Sequence, residues 1–144
     1  MAEQKITTFL WFDTQAEEAA KFYVSIFKGD SKVISANPMS ATFELAGQRY
    51  SAFNGGPHFK FNEAISLFVT CEDQAEVDHF WDALIAGGGS PSQCGWLKDK
   101  YGLSWQIIPR TLMKLMGDPK VVQAMMGMQK IIVADLERAH GGKA

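Results

Sequence analysis

The sequence has few cysteines, no excess of basic residues and no long apolar run, and each of these scarcities excludes a class of protein. Two cysteines in 144 residues, Cys71 and Cys94, are too few for the disulfide framework of a small secreted protein. A formal net charge of −2 argues against a nucleic-acid-binding surface. No apolar segment approaches the roughly 20 residues of a membrane-spanning helix, and the first residues, MAEQKITT, lack the apolar core of a secretory signal. We therefore expect a cytoplasmic protein with neither a nucleic-acid nor a membrane partner.

What is present is the composition of a globular domain, with 47% hydrophobic and 21% charged residues. The length fits one domain over residues 1–144. A faint internal repeat divides it, because residues 9–18 (FLWFDTQAEE) and 68–77 (FVTCEDQAEV) share a phenylalanine, an acidic residue and the triplet Gln-Ala-Glu at one offset. The repeat predicts two copies of one half-domain.

Both copies begin with the same local pattern of a strand followed by a helix. The β-type runs are Lys5–Phe12 and Ala64–Cys71. A capping box follows each run, formed by Thr14 with Glu17 in the first copy and by Asp73 with Glu76 in the second. The next residues carry an apolar stripe at helical spacing. The stripes are Ala16, Ala19, Ala20, Tyr23, Ile26 and Phe27, and then Val77, Phe80, Trp81, Leu84 and Ile85.

Short strands after each helix complete a β-α-β-β-β unit. They are Lys32–Ala36, Ala41–Leu45 and Gln48–Phe53 in the first copy, and Ser92–Lys98 and Leu103–Ile108 in the second, where one strand around Pro91–Gly95 is faint. Each unit would bury its helix against one face of its sheet and leave the other face open. We therefore expect the α+β class, with half-domains over about residues 4–56 and 63–109 whose open faces form a cup-shaped curved sheet.

The residues after the second half-domain predict a helical tail over 110–140. A short helix ends at Gly117, and Asp118-Pro119 is a cap followed by proline at the first helical position. The second helix runs towards His140, with Gly127 as a point where it can break. The methionine cluster of the tail is expected to pack over the mouth of the cup or across a dimer interface; it consists of Met113, Met116, Met125, Met126 and Met128.

Four stretches of the chain resemble one family. They are residues 5–13 (KITTFLWFD), 16–23 (AEEAAKFY), 54–63 (NGGPHFKFNE) and 94–109 (CGWLKDKYGLSWQIIP). These stretches, with the duplicated unit, look like the PhnB-like branch of the vicinal oxygen chelate superfamily, which includes glyoxalase and bleomycin resistance proteins and dioxygenases. That branch is named the 3-demethylubiquinone-9 3-methyltransferase family. The resemblance implies the cup-shaped fold, a homodimer and a small-molecule ligand.

The resemblance also implies four positions at which glyoxalase-like relatives bind a divalent metal. In this sequence they are Thr7, Ser51, Ser66 and Gln106, none of which is a histidine, an acid or a cysteine. A catalytic divalent site needs about three strong protein ligands. We therefore expect no metal and no other cofactor. The sequence also lacks the usual motif of a methyltransferase. The segments that lead from strand to helix, 12–15 and 71–74, contain none of the glycines of a nucleotide-binding turn.

Two side chains are candidates for chemistry, and each also has a structural interpretation. His58 lies in the turn-rich segment Gly55-Gly56-Pro57-His58 and could act as an acid or base near neutral pH. Cys94 could be a nucleophile, because Lys98 on the same strand could lower its thiol pKa. The structural alternatives are a loop-packing histidine and an inert buried cysteine.

The aromatic residues of the strands predict a ligand-binding cup, since alternation must point some of them away from the helices. The predicted lining is Trp11, Asn54, His58, Trp96, Trp105 and Gln106. The leading hypothesis is a protein that binds a small aromatic or amphipathic molecule without a catalytic metal, and whether it is an enzyme stays open. The alternatives are a metal-dependent glyoxalase-like lyase, transferase or dioxygenase, a non-enzymatic dimeric interaction protein, and the methyltransferase of the family name.

Overall fold

The computed structural model describes residues 4–141, which form eight strands and five helices in two repeated patterns. The first pattern is β1 (Thr8–Phe12), α1 (Ala16–Phe27), β2 (Lys32–Ala36), β3 (Ser40–Leu45) and β4 (Gln48–Asn54). The second is β5 (Ser66–Cys71), α2 (Gln74–Ile85), β6 (Ser90–Pro91), β7 (Trp96–Lys98) and β8 (Ser104–Pro109). The tail holds α3 (Arg110–Leu115), α4 (Pro119–Met126) and α5 (Val133–His140).

The chain divides into two compact units, Met1–Phe61 and Asn62–Ala144. Each unit contains a four-stranded sheet, with strand order β1-β4-β3-β2 in the first and β5-β8-β7-β6 in the second. In both sheets the first and last strands of the unit pair in parallel and the remaining pairs are antiparallel. The α+β class and the two β-α-β-β-β half-domains are therefore confirmed, whereas the cup that combines both sheets stays a prediction.

The predicted apolar stripes account for the packing of both helices. In α1 the buried side chains are Ala16, Ala19, Ala20, Tyr23 and Ile26, and in α2 they are Val77, Phe80, Trp81 and Leu84. The alanines of α1 bring its backbone close to the sheet, where Tyr23 packs on Phe43 with ring centroids 6.1 Å apart. Burial of these faces removes apolar surface from water, which is the main force that holds each helix on its sheet.

One of the two predicted capping boxes is wrong, and the other forms in one of its two hydrogen bonds, because the Glu76 side chain accepts from the Glu72 backbone N–H. Asp73 accepts a hydrogen bond from the Glu76 backbone N–H at 3.0 Å, as predicted for α2. In α1 the N-cap is Gln15, and no side chain of the cap residue bonds to the helix. Instead the Asn54 side-chain oxygen, at the end of β4, accepts from the Ala16 N–H at 2.8 Å. A residue 38 positions away in sequence satisfies the free amide, so the local Thr14–Glu17 spacing is not used.

The strands of the second half-domain and the helices of the tail are shorter than the sequence predicts. The run predicted as Ser92–Lys98 is a strand only over Trp96–Lys98, because Cys94 and Gly95 both have positive φ and turn the chain between β6 and β7. The tail breaks after Met126, as the weak point at Gly127 predicts, and resumes as α5 at Val133. A separate apolar core holds the tail against β8; it consists of Ile108, Leu112, Val121, Ile131 and Leu136. None of the helices within residues 4–141 is long and apolar enough to cross a bilayer.

Candidate functional site

A row of three side chains crosses the second sheet on the side opposite α2. The strand register pairs Phe68 with Gln106 and Gln106 with Trp96, so the three residues lie side by side on β5, β8 and β7. Paired residues project from the same face of a sheet, and residues two apart on one strand share that face. Ile108 therefore also lies on this face, whereas the alternate residues Trp105 and Ile107 are buried on the other.

This row forms one wall of a cavity of about 270 Å³. The opposite wall comes from α3 and α4 and from the turn before β7. The lining residues are Phe68, Cys94, Trp96, Gln106, Ile108, Leu112, Met116 and Met125. Every one of them is uncharged, and Gln106 is the only carboxamide among them. The cavity is therefore an apolar site with one strong hydrogen-bonding side chain, which is typical of pockets for small organic molecules.

Gln106 is oriented by a hydrogen bond within the same sheet. Its side-chain nitrogen donates to the Ser66 hydroxyl oxygen at 3.0 Å. Ser66 is paired with Ser104 in the register, and the Ser104 hydroxyl is buried with no hydrogen-bond partner among the described residues. Two positions that the resemblance equates with metal ligands, Ser66 and Gln106, thus bond to each other as neutral groups.

The two cysteines lie in different environments. Cys94 lines the cavity and is partly exposed, with its backbone N–H donating to the Met128 carbonyl at 2.8 Å. Cys71 is buried, and burial together with the nearby carboxylates of Glu76, Asp73 and Glu72 raises the pKa of its thiol to about 12. Because the thiolate is the reactive form, Cys71 is inert at neutral pH and Cys94 is the accessible thiol.

Trp105 does not line this cavity, which corrects its placement among the predicted cup residues. Its ring is buried on the opposite face of β8, and its indole N–H donates to an Asp99 carboxylate oxygen at 2.9 Å. The other Asp99 oxygen accepts from the backbone N–H groups of Tyr101 and Leu103, at 2.9 and 3.1 Å. Alternation along a strand puts Trp105 and Gln106 on different sides, so the two could not both face one ligand.

The predicted site residues of the first unit form a local cluster around the loop after β4. The Trp11 indole N–H donates to the Gly56 carbonyl at 2.9 Å, and its ring packs edge-on against Phe53 and Phe59. Gly55 packs against the face of the Trp11 ring so closely that a Cβ there would overlap it. Asn54 is occupied with capping α1, and exposed His58 lies beside Gly56. These contacts give Trp11 and Asn54 structural roles within their own unit.

The donor set at the implied metal positions does not fit a divalent cation. Ser51 lies within β4, and Thr7 directly precedes β1. Both are hydroxyl residues, and Gln106 turns an amide N–H, not an oxygen, towards Ser66. Over residues 4–141 no cluster of three histidine, cysteine or acidic side chains could hold a metal ion. Divalent metals bind carboxylate, imidazole or thiolate groups far better than neutral hydroxyls.

Asn54 provides a test of the cap that sequence reasoning missed. We expect Asn54→Ala to lower the free energy of unfolding by about 1–2 kcal/mol, since the α1 amide and the Pro38 carbonyl both lose their partner. Thr14→Ala is the matched control and is expected to change it by less than about 0.5 kcal/mol. Urea unfolding followed by circular dichroism measures both. A larger loss for Thr14→Ala would contradict the observed cap.

The lining residues that the tail contributes were not singled out as ligand contacts by the sequence. Leu112 is buried in the tail core, Met116 is exposed after α3, and Met125 lies in α4. Met116 and Met125 fall within the methionine cluster for which helix packing was predicted. The sequence signal that could have found them is the break at Gly117, because it lets two short helices fold back onto the end of β8.

Comparisons with known proteins point to one family. A family model described as 3-demethylubiquinone-9 3-methyltransferase matches residues 4–108. Among solved structures, the PhnB protein from Bacillus cereus is 37% identical, with a TM-score of 0.67 over 74% of this chain and 99% of that chain. No curated protein matches the chain.

Two more distant structures share the fold. A glyoxalase-related enzyme from Fulvimarina pelagi is 15% identical, with a TM-score of 0.53 over 74% of this chain and 88% of that one. FosX, a fosfomycin resistance protein from Listeria monocytogenes complexed with Mn(II) and sulfate, is 14% identical, with a TM-score of 0.58 over 81% of this chain and 98% of that one. At these identities the likeness concerns the fold alone.

Proposed function

The chain belongs to the PhnB-like 3-demethylubiquinone-9 3-methyltransferase family of the vicinal oxygen chelate superfamily, and we propose that it binds a small aromatic or amphipathic molecule in the cavity of its second unit without a catalytic metal. The observation that carries the proposal is the row of Phe68, Gln106 and Trp96 on the open face of the sheet. Two aromatic side chains flanking one amide suit a flat ring with a polar substituent.

The size and lining of the cavity support this ligand class. Its volume of about 270 Å³ exceeds the roughly 150 Å³ in which a buried apolar cavity accommodates benzene. A bicyclic aromatic molecule is therefore a suitable probe. Met116 and Met125 add flexible, polarisable side chains that adapt to different ring shapes. All lining residues belong to the second unit, so binding does not require the predicted homodimer.

The donor chemistry supports binding without a metal. Ser66 and Gln106 are hydrogen-bonded to each other as neutral groups, and neither offers the charge that a divalent cation needs. Because of the family name, methyl transfer is a second candidate function. Against it, β1 leads into α1 and β5 into α2 without a glycine, so neither crossing provides the close backbone approach that such cofactor sites use. Calorimetry with S-adenosylmethionine tests this candidate, and we expect no heat of binding.

The direct test uses 2-naphthol as the probe and Cys94 as a built-in reporter. We expect calorimetry to detect 2-naphthol binding to protein treated with a chelator. Bound 2-naphthol is expected to slow the alkylation of Cys94 by iodoacetamide, measured by intact-protein mass spectrometry. Cys71 stays unmodified, because its pKa of about 12 leaves almost no thiolate at pH 7.5. The Cys94→Ser variant, which should remain unlabelled, identifies the reacting thiol.

A pair of methionine variants locates the binding site. Met116→Trp places a large ring at the cavity wall and is expected to weaken 2-naphthol binding several-fold. Met126→Trp is the matched control, because Met126 is 64% exposed and does not line the cavity. No heat of binding at the solubility limit of 2-naphthol, or binding restored only by added zinc or manganese, would contradict the proposal.

A further inference from the structure

The open face of the second sheet changes from polar to apolar along its strands. Ser66 and Ser104 form the polar row, and the row of Phe68, Gln106 and Trp96 comes next. Beyond it Ile108 leads to the apolar end, which Leu112, Met116 and Met125 close. The two serines lie outside the cavity lining, and Ser66 adjoins it through its hydrogen bond to Gln106. A molecule in the cavity therefore meets the Gln106 amide, with Ser66 beside it, at one end and hydrocarbon and sulfur at the other.

The polar end offers both a donor and an acceptor. The Gln106 side-chain nitrogen donates to the Ser66 oxygen at 3.0 Å, so the Ser66 hydroxyl proton stays available to a ligand. The Gln106 side-chain oxygen has no hydrogen-bond partner within residues 4–141 and is free to accept. An uncharged group that donates and accepts at adjacent atoms matches this pair.

The lysine on this face already has an acidic partner. Lys98 is paired with Ser104 in the register and lies on the same face as Trp96. Its ammonium group forms an ion pair with the Glu63 carboxylate at 2.7 Å. The hydrogen bond and charge of Lys98 lower the pKa of Glu63. A ligand carboxylate would have to compete with Glu63 for this partner.

We propose that the Ser66–Gln106 pair selects a neutral headgroup, a carboxamide or hydroxyl on an aromatic body, over a carboxylate. The inference rests on the proposed function and adds the chemical class of the ligand. A carboxamide can donate to the Gln106 oxygen and accept from the Ser66 hydroxyl, which satisfies both groups. A carboxylate offers only acceptors, and it loses hydration in an apolar cavity without gaining a free cation.

The test compares naphthalene, 2-naphthamide and 2-naphthoate, which share one ring system. We expect calorimetry at pH 7.5 to give 2-naphthamide a dissociation constant about tenfold below those of the other two, as one to two good hydrogen bonds allow. Gln106→Leu is expected to remove the preference for 2-naphthamide over naphthalene while naphthalene still binds. Gln93→Leu is the matched control, since Gln93 is exposed and lies outside the cavity.

The outcomes separate this inference from the proposed function. Binding of naphthalene with no headgroup discrimination, or tightest binding of 2-naphthoate, would overturn the inference and leave the aromatic site in place. Failure of all three compounds to bind would instead overturn the proposed function, and the inference with it. Ser66→Ala provides a second variant should Gln106→Leu fail to fold, and it should reduce the 2-naphthamide preference without changing naphthalene binding.

Discussion

Replacing Asp99 with alanine is expected to lower the free energy of unfolding by about 3–5 kcal/mol, because three buried or half-buried N–H donors then lose their acceptor. Asp99 is 2% exposed and accepts from the backbone N–H groups of Tyr101 and Leu103 and from the Trp105 indole. Alanine offers no acceptor in place of the carboxylate, so these N–H groups are left unpaired. Urea unfolding followed by tryptophan fluorescence measures the loss.

Two further variants identify the cause of that loss. Asp82→Ala removes an acidic side chain from the exposed surface of α2 in the same unit, so it controls for the change in charge and is expected to alter stability by less than about 0.5 kcal/mol. Asp99→Asn keeps one acceptor oxygen and is expected to fall between Asp99→Ala and the unchanged protein. Equal stabilities for Asp99→Ala and Asp82→Ala would mean that the three hydrogen bonds contribute nothing.

The burial of Asp99 could not be predicted from the sequence. In the sequence it is one of four turn residues, Asp99-Lys100-Tyr101-Gly102, between two strands, and a turn aspartate is ordinarily exposed. Its burial depends on Trp105, which reaches it only because β8 places that ring on the inner face of the sheet. Local spacing predicts the turn correctly, but it cannot predict which face of β8 is buried, and it is that face which brings the Trp105 ring to Asp99.

The elements that could be predicted are those whose signals are local. The apolar stripes of α1 and α2, the Asp73 cap and the break at Gly127 each depend on residues within one or two turns. The cap of α1 was missed because its acceptor, Asn54, is supplied from the end of β4. Tertiary contacts therefore override the local capping signal at this helix, although the helix itself is where the periodicity places it.

The candidate site was predicted only in part for a related reason. Alternation along each strand allows two faces, and the strand register decides which residues of different strands share one. Trp96 and Gln106 line the cavity because the register aligns them, whereas Trp105, one residue away from Gln106, is excluded. The break at Gly117 indicates two short helices in the tail, but no pattern within the tail specifies that they pack on β8 and bring their methionines into the lining.

The second large effect is expected at Gly95, where Gly95→Ala should lower the free energy of unfolding by about 2–5 kcal/mol. Its φ of +86° is a left-handed conformation that costs other residues roughly 1–2 kcal/mol. A Cβ at this position would lie 2.8 Å from the Ile108 Cδ1 and 3.2 Å from the Ile107 carbonyl oxygen. Overpacking of a filled site adds about 1–3 kcal/mol.

Gly102→Ala separates the two contributions, because Gly102 has a φ of +90° and open space where its Cβ would lie. That control should show only the conformational cost, and the excess loss in Gly95→Ala measures the packing against Ile108. Since Ile108 also lines the cavity, we expect folded Gly95→Ala to bind 2-naphthol more weakly than Gly102→Ala does. Equal stability losses in the two variants would contradict the packing contribution. They would mean that the turn carrying Cys94 and Gly95 can move away from β8, and that this wall of the cavity adapts to an added methyl group.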